Sequence, residues 1–283
     1  MTRPAQARPE LPADISSAVR RALSEDIGTG DLSAELLPPD LASNAEVLCR
    51  QDAVLCGTAW FNEVFHQIDS TVNVTWLHQD GAQLAPGAKV CALAGRTRAL
   101  LTGERSALNF LQLLSGTATA TRACAQLLAG THAVLLDTRK TIPGLRSAQK
   151  YAVVCGGGSN HRMGLYDAIL IKENHIDAAG GVAQAVRKAL ASLRPVQVEV
   201  ETLAQLEEAI GAGAQRVLLD NFPLARLKQA VDVAHGRAKL EASGGIGPHN
   251  LRAVAETGVD YISMGSLTKD VRAIDFSMRL ISG

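Results

Sequence analysis

Cationic side chains cluster between residues 137 and 175, where they follow two short apolar runs. Arg139 and Lys140 come after the run at 133–136, and Lys172 comes after the run at 168–171. Both runs are rich in Leu, Ile and Val and lack a helical period, which is typical of buried parallel strands. The sequence therefore predicts that these cations lie at the carboxyl ends of strands and form a pocket for anions.

A glycine-rich segment at 156–158 precedes His161 and Arg162, and a further cation, Arg105, lies upstream. Arg binds carboxylates through paired hydrogen bonds, whereas Lys acts as a point charge. A lone histidine or cation is usually structural or solvated. Here the neighbouring glycines indicate a loop able to close, so we expect His161 and Arg162 to contact the ligand.

Two glycine-containing turns follow the last two apolar runs of the chain, and each precedes a helical pattern. One contains Ser243, Gly244 and Gly245, and the other is Met264-Gly-Ser266. In (β/α) barrels this pair of loops often binds phosphate through backbone N–H groups. Each could also be an ordinary tight turn, but two such turns in register favour a phosphate site at Ser243, Gly244, Gly245, Met264, Gly265 and Ser266.

Two carboxylates also fall at predicted strand ends. Glu201 ends the run at 196–201, and Asp220 ends the run at 216–220. Opposite a phosphate site, carboxylates suit Mg²⁺, which takes few protein oxygens and keeps water and phosphate ligands. Glu199 shares the face of Glu201 because strand side chains alternate. The alternative is a set of salt bridges, and no His and Cys residues occur at zinc spacing.

Bulk composition excludes several classes of protein. The chain has 283 residues, a hydrophobic fraction of 47% and a formal net charge of zero. A sizeable core is therefore expected, whereas a basic nucleic-acid-binding face is not. No apolar run reaches the length of a membrane span, and the segment at 1–12 lacks the apolar region of a signal peptide. Five cysteines without a CxxC pair indicate reduced thiols in a cytoplasmic protein.

The first part of the chain predicts a small α+β domain. Periodicity predicts a helix at 14–25, and short apolar runs separated by Asp-Gly and Pro-Gly turns predict strands within 44–99. A helix is expected at 58–68. Beyond residue 98, helical spacing predicts one helix up to about residue 114 and a second from 118 to 128.

The remainder alternates between strands and helices. Units of about 20–25 residues imply a parallel sheet with right-handed crossovers. The predicted strands are 133–137, 167–172, 196–201, 216–220, 238–243 and 260–264, and the later helices are 183–193, 203–212, 224–235 and 248–256. A doubly wound sheet is possible, but functional residues at nearly every strand end favour a barrel.

Six strands are too few for a closed barrel, so an incomplete (β/α) barrel is expected beside the α+β domain. The segment 273–281 partly alternates and could return as a strand to the first domain. The predicted boundaries are 1–115 with 271–283 for the N-terminal domain, and 116–270 for the barrel.

A different chemistry would use Lys140 or Lys172 as a Schiff-base nucleophile, as in an aldolase. That amine would need a depressed pKa, which neighbouring cations or burial could supply. The hypothesis explains one lysine and leaves the other cations and the carboxylate pair without a role.

Seven segments of this sequence together resemble the quinolinate phosphoribosyltransferase family. They are Gly103-Glu-Arg-Ser-Ala-Leu-Asn109, Asp137-Thr-Arg-Lys-Thr-Ile-Pro-Gly144, Gly157-Gly-Ser-Asn-His-Arg162, Ile171-Lys-Glu-Asn-His175, Val200-Glu201, Leu219-Asp-Asn221 and Glu241-Ala-Ser-Gly-Gly-Ile246. The resemblance extends from about residue 25 almost to the C-terminus. Its motifs are long and specific, and none of them departs from the family's pattern.

The resemblance implies an N-terminal sandwich-like domain, an incomplete barrel and a homodimer, or a higher oligomer, with shared sites. Arg105 would reach quinolinate across the interface. Arg139, His161, Arg162 and Lys172 would surround quinolinate, with Thr138 and Met264 also in the substrate-binding set.

Lys140 would face the pyrophosphate of phosphoribosyl pyrophosphate, and Ser243, Gly244, Gly245, Gly265 and Ser266 would hold the 5′-phosphate. Glu201 and Asp220 would lie near the ribose and Mg²⁺, and Lys140, Lys172, Glu201 and Asp220 form the implied catalytic set.

The implied reaction gives nicotinate mononucleotide, CO₂ and pyrophosphate in de novo NAD synthesis, with Mg²⁺ and no organic cofactor. Physical chemistry agrees, because a dicarboxylate and a phosphate ester repel each other unless cations separate them. A related enzyme with another ring substrate remains the nearest alternative.

Overall fold

The computed structural model of the chain describes residues 9–281, so most of the N-terminal segment at 1–12 lies outside the described residues. The helices are α1 (Ile15–Ile27), α2 (Thr58–Ile68), α3 (Thr97–Leu127), α4 (Arg146–Gly156), α5 (Glu173–Ala179), α6 (Val182–Leu190), α7 (Leu203–Gly211), α8 (Leu224–Ala234), α9 (Leu251–Ala255) and α10 (Ser266–Lys269), with a short 3₁₀ helix at Ala34–Leu36. The strands are β1 (Ala42–Cys49), β2 (Ala53–Val54), β3 (Asn73–Trp76), β4 (Gln83–Leu84), β5 (Lys89–Arg96), β6 (Val134–Leu136), β7 (Ile169–Ile171), β8 (Val196–Val200), β9 (Arg216–Asp220), β10 (Lys239–Ser243), β11 (Tyr261–Ser263) and β12 (Phe276–Ile281).

Two compact units divide the chain. The first contains the described residues of Met1–Arg122, Ile142–Gly157 and Asp270–Gly283, and the second contains Ala123–Thr141 and Gly158–Lys269. The segment Ile142–Gly157, which includes α4, thus belongs to the first unit although it lies inside the range 116–270 that the sequence suggests for the barrel.

The first unit is built on a four-stranded antiparallel sheet in the order β12-β1-β5-β3. Alternate residues of β1, among them Ala45 and Val47, are fully buried, as expected for a sheet with one face on a core. Trp60, Phe61 and Phe65 of α2 contribute the largest side chains of this core. The predicted return of the C-terminus is confirmed, because β12 pairs with β1.

One helix, α3, replaces the two helices predicted between residue 98 and residue 128. The helix runs without interruption through its threonines and Gly116, and the hydroxyl of Thr121 donates to the carbonyl of Thr117 at 2.8 Å. Such back-bonding lets Thr stay in a helix. Gly116 is retained because the helix contacts Arg272 there, and a Cβ at Gly116 would lie 2.3 Å from the Arg272 carbonyl oxygen.

The second unit contains a six-stranded parallel sheet in the order β6-β11-β10-β9-β8-β7. The first strand lies beside the last, as in a (β/α) barrel, and β6 and β7 remain as edges in the described sheet. This order confirms the incomplete barrel and contradicts the doubly wound alternative, in which the strand order reverses inside the sheet. All six predicted strands are present, and α6 to α9 match the four predicted helices within a few residues.

Helices α4 and α5 were not predicted. Eight residues of α4 are buried, including the polar Gln149 and Lys150, so its polar residues do not mark a solvent-exposed face. Of the described helices, none combines the length and apolar character needed to cross a membrane.

We expect Gly116→Ala to lower the urea midpoint of unfolding, because its new methyl group must displace the Arg272 carbonyl at a cost of about 1–3 kcal/mol. Gly211→Ala is the matched control, since α7 is open there. Helix propensity alone should leave the control unchanged or slightly stabilised. Equal midpoints for the two variants would contradict the close contact.

Candidate active site

The carboxyl ends of neighbouring strands bring the predicted acidic residues together. Asp220 of β9 pairs in register with Ser243 of β10, and Val200 of β8 pairs with Leu219 of β9. Glu201 directly follows Val200, so it comes next to Asp220 along the same sheet edge. Because strand side chains alternate, Glu199, Glu201 and Asp220 share one face.

Thr138, Lys140 and Gly265 meet where β6 lies beside β11. A Cβ on Gly265 would lie 3.0 Å from Cδ of Lys140 and 3.4 Å from the hydroxyl oxygen of Thr138. The backbone N–H of Lys140 donates to that hydroxyl at 3.1 Å, and the hydroxyl of Thr268 donates to the Lys140 carbonyl at 2.8 Å. The Lys140 side chain is thus held against the second glycine turn.

The segment carrying His161 and Arg162 lies along the end of β6. Ser159 forms a parallel bridge with Leu136, and its N–H donates to the Leu135 carbonyl at 2.8 Å. The N–H of His161 then donates to Oδ1 of the buried Asp137, also at 2.8 Å. These bonds hold His161 and Arg162 beside the carboxyl end of β6, the strand that Arg139 and Lys140 follow in the chain.

Two guanidinium groups lie close enough in this region to perturb each other. Burial lowers the pKa of Arg162, the charge of Arg139 lowers it further, and Asp167 acts in the opposite sense. Nη1 of Arg162 donates to the Ala168 carbonyl at 3.0 Å, which fixes the side chain. Two like charges held together in this way form a site for an anion.

Lys172, which ends β7, lies beside a carboxylate. Its Nζ is 2.9 Å from Oε2 of Glu199 on the neighbouring β8. About half of its side chain remains exposed, at 45%. The ion pair holds the ammonium group at the strand end, where it can donate to a second anion.

The turn after β10 is shaped by close packing around Gly244. This residue has φ +90°, and a Cβ there would lie 2.1 Å from Oδ1 of Asn221. Asn221 itself adopts φ 55°, and its N–H donates to the Ser243 carbonyl at 2.9 Å. Glycine is therefore required at residue 244, and the exposed Gly245 that follows leaves its backbone open to a ligand.

Glu201 and Asp220 suit a Mg²⁺ ion that also binds a substrate phosphate. The Glu201 side chain is exposed, and the Asp220 carboxylate accepts one bond at 2.8 Å from the Asn221 amide. At least three of their four oxygens thus have no protein donor among the described contacts. A hard cation that keeps most of its water needs few protein ligands, so the donor set fits.

Sequence reasoning missed the groups beneath this layer. Glu241 is fully buried, and its Oε2 accepts from Nε2 of Gln197 at 2.9 Å and from Nη2 of Arg216 at 3.0 Å. Burial alone would raise the pKa of Glu241, but hydrogen bonds from His161, Gln197 and Ser263 lower it to about 2. In β8 the polar residues Gln197 and Glu199 alternate with valines, so one face of this strand is polar. That pattern could have indicated polar side chains inside the barrel.

The remaining predicted residues are placed as follows. Met264 is buried at the end of β11, and its N–H donates to the Leu136 carbonyl at 3.0 Å. Ser266 begins α10 directly after Gly265. Arg105 is exposed on α3 in the first unit.

A second cluster occurs in the first unit, where Cys56, Asp80 and Cys155 have ligand atoms within 4.8 Å of one another. The Asp80 carboxylate already accepts from the N–H groups of Gly57 and Thr58 at the start of α2, and from the Tyr151 hydroxyl at 2.9 Å. Burial raises the pKa of the Cys56 thiol and of the Asp80 carboxyl. The cluster thus serves as a helix cap beside the protonated Cys56 thiol, and all five cysteines are unpaired.

The barrel and its strand-end groups define an enzyme for substrates that carry carboxylate and phosphate groups. Residues 31–115 match the N-terminal domain, and residues 117–279 the C-terminal domain, of quinolinate phosphoribosyl transferase. A probable nicotinate-nucleotide pyrophosphorylase (carboxylating) of Bacillus subtilis is 43% identical over 257 residues, covering 90% of this chain and 89% of the relative. A decarboxylating quinolinate phosphoribosyltransferase of Nicotiana tabacum is 38% identical over 94% of this chain and 82% of its own length.

Among solved structures, the nicotinate-nucleotide pyrophosphorylase of Francisella tularensis superposes with a TM-score of 0.94 at 48% identity, covering 98% of this chain and all of that one. The chain belongs to the quinolinate phosphoribosyltransferase family. Its reaction is the decarboxylating transfer of a phosphoribosyl group to quinolinate in NAD biosynthesis. This membership decides against the Schiff-base alternative.

The depressed pKa of Glu241 predicts an acid-dependent contribution to stability. Its folded pKa of about 2 lies below the ordinary 4.5, so the stabilisation is complete above about pH 4.5 and is lost as pH falls toward 2. We expect the difference in unfolding free energy between the natural protein and Glu241→Gln to shrink by up to about 1.4 kcal/mol per pH unit in that window.

Denaturant titrations between pH 7 and pH 3 measure this difference. Glu207→Gln, at an exposed position on α7, should leave stability nearly unchanged throughout. A difference for Glu241→Gln that stays constant down to pH 3 would argue against the low pKa.

Proposed function

We propose that quinolinate binds at the strand ends between the guanidinium groups of Arg139 and Arg162, with Lys172 beside them. Burial lowers the pKa of Arg162 and the nearby charge of Arg139 lowers it further. This proximity of two guanidinium groups is the observation that supports the pocket most directly. Quinolinate carries two carboxylates on a planar ring, and Arg can bind each through paired hydrogen bonds. Thr138 and the loop at His161 complete the pocket.

Phosphoribosyl pyrophosphate is proposed to lie across the other strand ends. The turns at Ser243–Gly245 and Gly265–Ser266 would take its 5′-phosphate through backbone N–H groups, which the absence of a Cβ leaves accessible. Lys140, held against Gly265, would face the pyrophosphate. Glu201 and Asp220 would hold Mg²⁺, which neutralises charge on the pyrophosphate when it is bound.

Transfer requires the pyridine nitrogen to approach C1 of the ribose as pyrophosphate departs. The protein's contribution is orientation of the two substrates and stabilisation of the developing charges. Lys140 donates to the departing pyrophosphate, while Arg139, Arg162 and Lys172 hold the carboxylates so that the ring nitrogen points at C1. The alkylated nitrogen is cationic and stabilises the carbanion left when the adjacent carboxylate leaves as CO₂, and that carbon then takes up a proton from solvent. The products are nicotinate mononucleotide, pyrophosphate and CO₂, and no organic cofactor takes part.

We further propose a homodimer in which each site is completed by Arg105 of the partner subunit. In this chain Arg105 is exposed on α3, as a residue that acts on another subunit must be. A third guanidinium would offset the second carboxylate of quinolinate. The five unpaired thiols favour a reducing, cytoplasmic location.

Removing either arginine of the pocket should abolish most quinolinate binding. We expect Arg139→Ala and Arg162→Ala to weaken quinolinate affinity by about 100-fold, because each loses hydrogen bonds between charged partners. Calorimetry measures the affinity, and release of CO₂ and pyrophosphate from quinolinate, phosphoribosyl pyrophosphate and Mg²⁺ measures turnover. Arg187→Ala, an exposed position on α6, is the control of equal charge change. Unchanged quinolinate affinity in both pocket variants would remove the basis of the assignment.

Mixed subunits test whether the site is shared. A heterodimer of Arg105→Ala and Lys172→Ala subunits has one site with both residues intact, so random mixing should restore about one quarter of natural activity. Mixing Lys140→Ala with Lys172→Ala subunits should restore none, because both residues belong to the same barrel. Verified heterodimers that show no recovery in the first mixture would count against a shared site.

A further inference from the structure

We propose that Glu241 is a positioning residue for the quinolinate pocket, acting on His161 and Arg162 from inside the barrel. The proposal rests on the pocket role proposed above for Arg162. It begins with the buried carboxylate, which is 0% exposed on the central strand β10 and is paired with Arg216 at 3.0 Å. Arg216 is fixed in turn by the ring of Tyr261, 4.3 Å from its guanidinium carbon.

A hydrogen-bonded relay leads from Glu241 to His161. The Gln197 amide nitrogen donates to Glu241 at 2.9 Å, and its oxygen lies 3.0 Å from Nε2 of His161. Oε2 of Glu241 is itself 3.4 Å from that nitrogen. With the amide nitrogen directed at a carboxylate, the amide oxygen must face the imidazole, so Gln197 accepts and Nε2 of His161 donates.

The other nitrogen of His161 is also engaged by the protein. Nδ1 accepts from the backbone N–H of Arg162 at 2.8 Å. A nitrogen that accepts this bond carries no proton, so both contacts require the neutral ring with hydrogen on Nε2. His161 therefore connects the barrel core to the Arg162 backbone and is not a cation presented to a carboxylate.

Arg162 needs this support because its guanidinium is held near that of Arg139, which repels it. Its side chain is tied to the Ala168 carbonyl and its backbone to the His161 ring. Release of the ring removes one of these two anchors. The relay leads to Arg162. Ser263, which donates to Glu241, precedes the second glycine turn but is not one of the proposed phosphate contacts, so quinolinate binding should suffer more than phosphate binding.

Kinetics and calorimetry of Glu241→Gln test this separation. The amide keeps the volume of Glu241 but removes its charge, so we expect quinolinate affinity to fall about tenfold while the KM for phosphoribosyl pyrophosphate stays within twofold. Gln197→Leu interrupts the relay with Glu241 intact and should show the same split. Asp260→Asn, which removes the carboxylate paired with Lys239 at 2.7 Å in the same unit, should leave both constants unchanged.

Nitrogen NMR of the His161 ring provides the second readout, with His161→Asn used to assign its signals. The natural protein should show a protonated Nε2 and an unprotonated Nδ1, and Glu241→Gln should lose this fixed tautomer. Equal weakening of both substrates, unchanged quinolinate affinity, or a proton on Nδ1 would each overturn the proposal. If Glu241→Gln does not fold, Gln197→Leu and the NMR of the natural protein decide. Failure of the natural protein to bind quinolinate would refute the proposed pocket instead, and the tautomer would still be decided by NMR.

Discussion

Repulsion between like charges is the constraint on which the barrel site depends. The reaction brings a dicarboxylate and a phosphate ester together, and in the proposed site Arg139, Arg162, Lys140 and Lys172 lie near these anions at one end of a parallel sheet. These cations repel one another as well, and burial of Arg162 strengthens that effect. Carboxylates inside and beside the site, Glu241 and Glu199 among them, offset the excess positive charge before substrate arrives.

Close approach of the backbone is the second requirement. Gly265 allows Lys140 and Thr138 to lie against β11, and Gly244 fits against Asn221 where no Cβ has room. In the proposed phosphate site each glycine would perform two tasks, since the space that admits a neighbouring side chain also exposes backbone N–H groups. Packing at these turns and phosphate binding would then depend on the same residues.

The parts of the fold with a clear hydrophobic pattern were predictable. Short apolar runs located all six barrel strands, and spacing located α1, α2 and α6 to α9. The prediction failed in α4, where polar residues are buried, and in α3, where one helix packed against Arg272 at Gly116 replaces the two that were predicted. Both errors arise because tertiary contacts override local propensity.

The sequence by itself determined the charged groups at the strand ends and the glycines of the turns, because strand length and side-chain alternation are local properties. Only the tertiary structure decided what lies beneath them. Gln197, Arg216 and Glu241 are far apart in sequence, and the parallel register of β8, β9 and β10 places them under His161. That register places Gln197 and Glu241 beside Nε2 of His161, a geometry that depends on pairing between strands and that no single segment encodes.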